Sequence, residues 1–339
     1  MGRTALFVVM GLGAAFGVIG INLNRSAEQS TRVMSSYMQY TQARNLARSA
    51  VHARLRDIDR DTVIQTGYKS TAFYGGTYAT TVSMPSLDTL LMIAVGTFQD
   101  TTYTMKLTLK RYPKPFPSVA GAVGLVVNPV QFQANGNPHI YGNDHDINGN
   151  DISGTGNDKP GVGVLTTADS STVAPYAGNI DGNPKIQVVA DMENPRDYIP
   201  EYLANADYKY VQNDSPINGQ TWGSVDNPVI VTCRSNLGQS IKINGNAEGW
   251  GLLVVEGGLE LAGTFKWHGL VIATGDTSVI DVSASTGTPE IIGGLIMAGA
   301  PNSKFTMKGN ANFKYSSQAL EISKYIKKLM AYKIVSWYE

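Results

Sequence analysis

The chain has 339 residues, with 27 basic side chains, 27 acidic side chains and a single cysteine, Cys233. One cysteine excludes an intrachain disulfide and a multi-cysteine metal site, and the length allows two or three domains. The charge is unevenly placed: residues 116–315 hold ten bases against nineteen acids, which argues against nucleic acid as a partner, since phosphate binding needs a basic face.

Residues 4–23 carry no charge and are mostly apolar, between Arg3 and Arg25. About twenty such residues in a helix span the roughly 30 Å core of a bilayer. The run is longer than a signal-peptide core, and no small-residue cleavage site follows it. Residues 1–60 hold eight arginines against three acids, a balance that suits an anionic headgroup layer. Gly11, Gly13, Ala15, Gly17 and Gly20 are the candidate packing residues, because small-xxx-small spacing lets helix backbones approach closely. Glycine is also simply common in membrane helices. After Arg25, apolar or small residues recur at Val33, Tyr37, Tyr40, Ala43, Ala47, Ala50, Val51 and Leu55, close to the helical period. One helix is predicted from residue 5 to about residue 57, its second half amphipathic and lying on a globular domain.

Three runs then have strand character: residues 71–83, 87–98 and 101–111. The last alternates Tyr103, Met105, Leu107 and Leu109 against Thr104, Lys106, Thr108 and Lys110, as a half-buried strand does. Short connectors predict an antiparallel meander whose apolar face the helix covers. Pro113, Pro115 and Pro117 mark a boundary.

Beyond it two patterns recur. Gly-Leu-apolar-apolar begins at Gly124, Gly251, Gly269 and Gly294. An alternating pattern runs Ile241 to Gly245, Leu259 to Gly263 and Phe305 to Gly309, with Val130-Gln-Phe132 as a looser copy. They interleave at steps of 18 to 25 residues in the rear half. Such a period signals a solenoid, here a parallel β-helix with Gly and Asn at its corners; an antiparallel sandwich is the competing reading. The fold class expected is therefore α+β: a long N-terminal α-helix packed on an antiparallel β-meander, followed by a parallel β-helix (solenoid) domain with a C-terminal helix cap. The domains expected are residues 1–60 (helix), 61–115 (meander), 116–315 (β-helix, with an irregular insertion near 153–230) and 316–339 (capping helix and strand). In the last, Ser317 is the expected cap, Ile322, Tyr325, Ile326, Leu329 and Met330 form one stripe, and residues 332–339 close the solenoid.

Candidate chemistry is sparse. Asp144, Asp146 and Asn148, followed by Gly149, reproduce the opening of a calcium loop, where alternate oxygens converge on one cation. The twelfth position is Thr155 rather than Glu. The competing reading is an Asx-rich turn that bonds its own backbone. Asp144 and Asp146 could also serve as an acid/base pair for glycoside cleavage, and Trp250, Trp267 and Tyr315 as an aromatic sugar face. No nucleophile elbow, phosphate loop or HExxH is present, so no catalytic residue and no cofactor other than calcium is expected.

The apolar helix, the tract from Gln42 to Leu55 (QARNLARSAVHARL) and the meander together resemble a type IV pilin-like protein, of the PilX-like class of minor pilins. NGNPHIYGNDHDINGN at residues 135–150 and GLLVVEGGLELAGTFKWHGLVIATG at residues 251–275 resemble C-terminal β-helix extensions on some of these proteins. Pilins usually carry Glu at the fifth mature position; Ala5 stands there if the mature chain starts at Met1. The resemblance implies a non-catalytic structural subunit of a type IV pilus-like extracellular filament. Its partners would be other copies of itself through their N-terminal helices, the inner membrane before assembly, and the pilus assembly machinery. A second reading is a membrane-anchored surface protein that binds glycans or calcium through its β-helix. A third is a β-helix carbohydrate-active enzyme.

Overall fold

A computed structural model describes residues 2–60, 66–86, 88–152, 154, 156–212, 216–235, 239–275 and 278–339 of the chain, without the side chains of Thr4, Ala5, Arg60 and Gln212. Thr155 of the candidate calcium loop lies outside the described residues. The protein is α+β: one long N-terminal helix followed by mostly β sheet. It divides into two compact units, residues 1–111 with 332–339, and residues 112–331.

In the first unit, helix α1 (Gly2–Arg60) is followed by β1 (Gly67–Phe73), β2 (Gly76–Ser86), β3 (Thr89–Phe98) and β4 (Thr101–Pro113), paired antiparallel in chain order. The single strand expected over residues 71–83 is in fact a hairpin. Tyr74 and Gly75 turn the chain with φ of +47° and +75°, and two positive φ values match the right-handed twist of the flanking strands. Alternation puts Val82, Leu90, Met92, Ala94, Met105, Leu107 and Leu109 on one face. Ala47, Ala50, Val51 and Ile58 of α1 close over it. Each fully buried Leu or Met there contributes about 2 kcal/mol.

Gly96 decides how close the helix comes. A Cβ on Gly96 would lie 2.1 Å from the Ala43 carbonyl oxygen and 2.5 Å from the Ala47 nitrogen. Small residues on the helix and none on the strand let two backbones touch.

The second unit opens with three short strands, β5 (Val123–Leu125), β6 (Gln131–Gly136) and β7 (His139–Tyr141). Next come β8 (Val162–Val164), helix α2 (Thr167–Val173), β9 (Ile180–Asp181) and β10 (Ile186–Val188). A 3-10 turn at Pro195–Tyr198 and helix α3 (Ile199–Asn205) lead to β11 (Tyr208–Gln212), β12 (Ile217–Asn218) and β13 (Thr221–Trp222). The regular part follows: β14 (Val229–Ser235), β15 (Ser240–Asn244), β16 (Glu248–Glu256), β17 (Gly258–Gly263), β18 (Lys266–Thr274), β19 (Asp281–Gly287), β20 (Glu290–Ala298), β21 (Lys304–Gly309) and β22 (Asn312–Tyr315). Helix α4 (Ser317–Lys324) and strand β23 (Met330–Tyr338) end the chain.

From β14 to β21 successive strands alternate between two sheets, and each pairs in parallel with the strand two elements on. The larger sheet runs β10-β8-β5-β20-β18-β16-β14-β11, and the second β12-β15-β17-β19-β21-β6. The first strands of the unit thus lie beside its last: β5 against β20, β6 against β21 and β7 against β22. The irregular stretch expected near 153–230 contributes β8 and β10 beyond β5, then reaches the opposite edge, where β11 pairs with β14. The 3-10 turn packs on β18 and β20, α3 on β14, and α4 on β16, β18 and β20. With both faces covered, Leu252 to Val255 and Leu270 to Ala273 are all buried, and so these strands read as continuous apolar runs rather than as alternation.

Register corrects the repeat phasing. Gly251 pairs with Gly269, and Gly269 with Gly293 rather than Gly294. These three have φ of +116°, +137° and +141°, and they bend β16, β18 and β20 at one level. Gly124 has no such role: it pairs with Ile296. In the second sheet Phe305 pairs with Phe132, so the copy at residues 130–132 starts two residues later than expected. The gap between Leu259 and Phe305 is filled by β19, whose Val282 pairs with both.

The C-terminal tract differs as well. Ser316, not Ser317, is the cap, its hydroxyl accepting from the Ala319 N–H. The helix stops at Lys324, so the expected stripe is split between a helix, a 3-10 turn (Lys327–Leu329) and the start of β23. Strand β23 joins the sheet of the first unit beside β4 instead of closing the parallel sheets, and α4 lies on a sheet face rather than over an open end.

Candidate functional site

Every described side chain of α1 from Leu6 to Met38 is exposed. Contact with the sheet begins at Gln39, whose side-chain amide donates to Gln99 Oε1 at 2.6 Å. Ala43 is the first buried residue. Residues 6–38 would extend over about 50 Å at 1.5 Å per residue. The helix is long and apolar enough to cross a membrane, with a mean hydropathy of 2.2 over its most apolar 18-residue window. Leu6, Phe7, Val9, Met10 and Phe16 are each at least 60% exposed, far more apolar surface than a chain leaves uncovered in water.

The structure leaves the predicted packing residues without neighbours. A Cβ on Gly11, Gly13, Gly17 or Gly20 would meet nothing within 4 Å, and Ala15 is exposed. At about 100° per residue, Gly13, Gly17 and Gly20 share one face, and Gly11 with Ala15 falls roughly opposite. Of the amphipathic stripe, Ala43, Ala47, Ala50 and Val51 are buried, while Val33 and Tyr37 stay exposed. Tyr40 meets Tyr103 edge-on at 5.2 Å. Just beyond Ala43, Arg44 and Arg48 donate to Glu339 at 2.6 and 2.8 Å.

The acidic loop is arranged as a clamp on its own unit. Asp144 is fully buried. Its Oδ1 accepts from the Ser317 N–H at 2.8 Å and its Oδ2 from the Ser317 hydroxyl at 2.6 Å. It therefore holds the N-terminus of α4, where a negative charge is favoured by the helix dipole. Asp146 accepts from the backbone of Asn148 and Asn150 at 2.8 and 2.9 Å, and from the Asn150 amide at 2.8 Å. The Asn150 amide and these backbone N–H groups hold its carboxyl below the ordinary value. Asn148 is exposed and gives this turn its backbone N–H. Among the described residues no three His, Cys, Asp or Glu side chains are grouped to hold a metal ion. Asp144→Ala should cost about 2 kcal/mol, the worth of two bonds to a part-buried helix start and of a carboxylate at its N-terminus. Thermal melts with and without chelator would check it, with the same loss expected in both.

Lys314 extends the clamp, donating to the Gly149 carbonyl at 3.0 Å and pairing with Glu290 at 2.6 Å; Lys266 pairs with Glu290 at 3.1 Å. Burial alone would raise the Glu290 carboxyl, but the bonds from Lys314 and Lys266 outweigh it, and the net shift is below the ordinary 4.5. A lowered carboxyl stabilises the fold above its unfolded value and stops doing so as pH falls through its folded value. The second unit should therefore lose melting temperature as pH drops below 4.5, and Glu290→Gln should flatten that acid limb.

Trp267 and Tyr315 are buried in the core, and Trp250 stacks on His268 with ring centroids 4.6 Å apart. The three do not form one aromatic face. Cys233 is buried, and burial pushes its thiol up to about 12.

No protein-family model matches the sequence, and no curated protein matches it. Among solved structures the chain is similar to the competence-associated pilin ComZ from Thermus thermophilus. The identity is 10% and the TM-score 0.25, over 89% of this chain and 97% of that one.

Reading the sequence missed Gly96, the Asp144–Ser317 bond and the register of Gly293. A glycine inside an apolar strand signals close backbone approach, and Ala43, Ala47 and Ala50 at helical spacing are its counterpart. Nothing local links Asp144 to Ser317, which are 173 residues apart.

Proposed function

We propose that this chain is a non-catalytic structural subunit of a type IV pilus-like filament, in the manner of the PilX-like minor pilins that its N-terminal tract resembles. The observation that carries the reading is the helix from Leu6 to Met38, exposed at every described side chain on an element whose other half is fixed to a sheet. Two small-residue faces, roughly opposite each other, suit a helix with neighbours on both sides rather than a simple dimer. Before assembly the apolar run would rest in the inner membrane; afterwards the same surface would be covered by copies of the chain, with the assembly machinery moving it between the two. The strands of the second unit, alternating between parallel sheets, support a β-helix as its finer architecture, displayed on the filament surface.

Shearing cells and collecting the released filaments tests the reading. The chain should be in that fraction, and Gly13→Leu with Gly17→Leu should leave it in the membrane. Retention of the unaltered chain in membranes, with none in the sheared fraction, would instead favour an anchored surface protein that never polymerises.

A further inference from the structure

A cleft of about 400 Å³ opens where the strands of the second sheet begin. Register sets Ser240 beside Gly258, and Lys304 between Asp281 and Gln131. Gly258 and Asp281 immediately precede the paired Leu259 and Val282. The row therefore runs Ser240, Gly258, Asp281, Lys304, Gln131, across about 19 Å at the usual strand spacing. Asn302 lines the same cleft from the turn before β21. Gly258 lets its neighbours close in: a Cβ there would sit 2.3 Å from Ser240 Oγ and 3.0 Å from the Asp281 carbonyl oxygen.

The side chains of Gln131, Asp281, Asn302 and Lys304 make no hydrogen bond among the described residues, and Asp281 feels the charge of Lys304 without forming a close ion pair. With Gln239 also on its wall, one carboxylate, one ammonium and three amides give a lining of zero net charge that both donates and accepts. Asp281 disfavours an anion, and Lys304 disfavours a cation. Sugar hydroxyls match such a lining, because each can donate and accept at once. The volume lies in the range of small-molecule clefts. The row recurs at about 4.8 Å, so a chain of sugar units can lie along it with several residues engaged.

We infer that this cleft binds a neutral oligosaccharide, a property independent of whether the chain forms filaments. Saturation-transfer NMR on the full chain, in a detergent without a sugar head group, tests it with neutral oligosaccharides of glucose, galactose, mannose and N-acetylglucosamine. Glycine and inorganic phosphate are the contrasting probes. At least one oligosaccharide should bind. Asp281→Ala and Lys304→Ala should each weaken it about tenfold or more, as should Asn302→Gly, which removes the amide at an exposed turn whose φ of +70° glycine accepts without strain. Absence of binding by every oligosaccharide, binding unchanged in all three variants, or glycine or phosphate taking the site in their place would overturn the assignment.

Discussion

Gly96→Ala should detach the second half of α1 from its sheet. The added methyl would sit 2.1 Å from the Ala43 carbonyl oxygen, 2.5 Å from the Ala47 nitrogen and 2.9 Å from Leu46 Cβ. Two of these atoms are helix backbone and cannot swing aside. The helix must lift, and Ala43, Leu46, Ala47, Ala50 and Val51, all buried in the native unit, lose their contacts with the sheet. Overpacking against backbone of this kind costs about 3 kcal/mol. Native-state hydrogen exchange would read it as lost protection of helix amides between residues 43 and 58. Gly11→Ala, whose methyl meets nothing within 4 Å, should leave the isolated subunit unchanged. Unchanged protection in Gly96→Ala would remove close backbone contact as the reason for the helix's position.

Gly269→Ala should have the largest effect in the second unit. Its φ of +137° is a conformation that L side chains rarely adopt. A Cβ there would lie 2.1 Å from the Gly251 carbonyl oxygen and 2.3 Å from Ser323 Oγ. That carbonyl already accepts from Ser323 Oγ at 3.1 Å and from Trp267 Nε1 at 3.2 Å, so relief by moving it would break two bonds. Strain and overpacking together amount to about 4 kcal/mol, a large part of the roughly 5–15 kcal/mol that holds a domain folded. The urea midpoint of tryptophan fluorescence should fall sharply, because Trp222 and Trp267 are both fully buried. A midpoint equal to that of the unaltered chain would mean that the glycine row does not set the bend.

The features legible in the sequence were those with local periodicity. The apolar run and the stripe through Ala43, Ala47 and Ala50 announce a helix by spacing alone, and the alternation of Tyr103 to Leu109 announces a half-buried strand. Phe73-Tyr-Gly-Gly76 was harder, since Tyr at positive φ gives no turn signal and only the glycines mark the hairpin. Features that depend on register escaped. Gly293 and Gly294 are adjacent and identical, and only pairing with Gly269 tells which one bends. The placement of β5 beside β20 escaped for a different reason: strands far apart in the chain carry no mutual signature in one sequence. The acidic loop shows the same limit, because the partner of Asp144 is the start of a helix at the other end of the unit. Gly11, Gly13, Ala15, Gly17 and Gly20 stand out in the sequence by their small-xxx-small spacing alone.

Cross-linking through that helix decides whether it packs against its own copies. Cys233 is buried with its thiol raised to about 12, so cysteines introduced at Ala15 and Gly20 would be the reactive ones. These two positions lie on different faces of the helix. In the sheared fraction the doubly substituted chain should oxidise to a ladder of covalent multimers, and each single substitution should stop at dimers. A chain that stays monomeric in both, and stays in the membrane, would contradict a helix built to pack against its own copies.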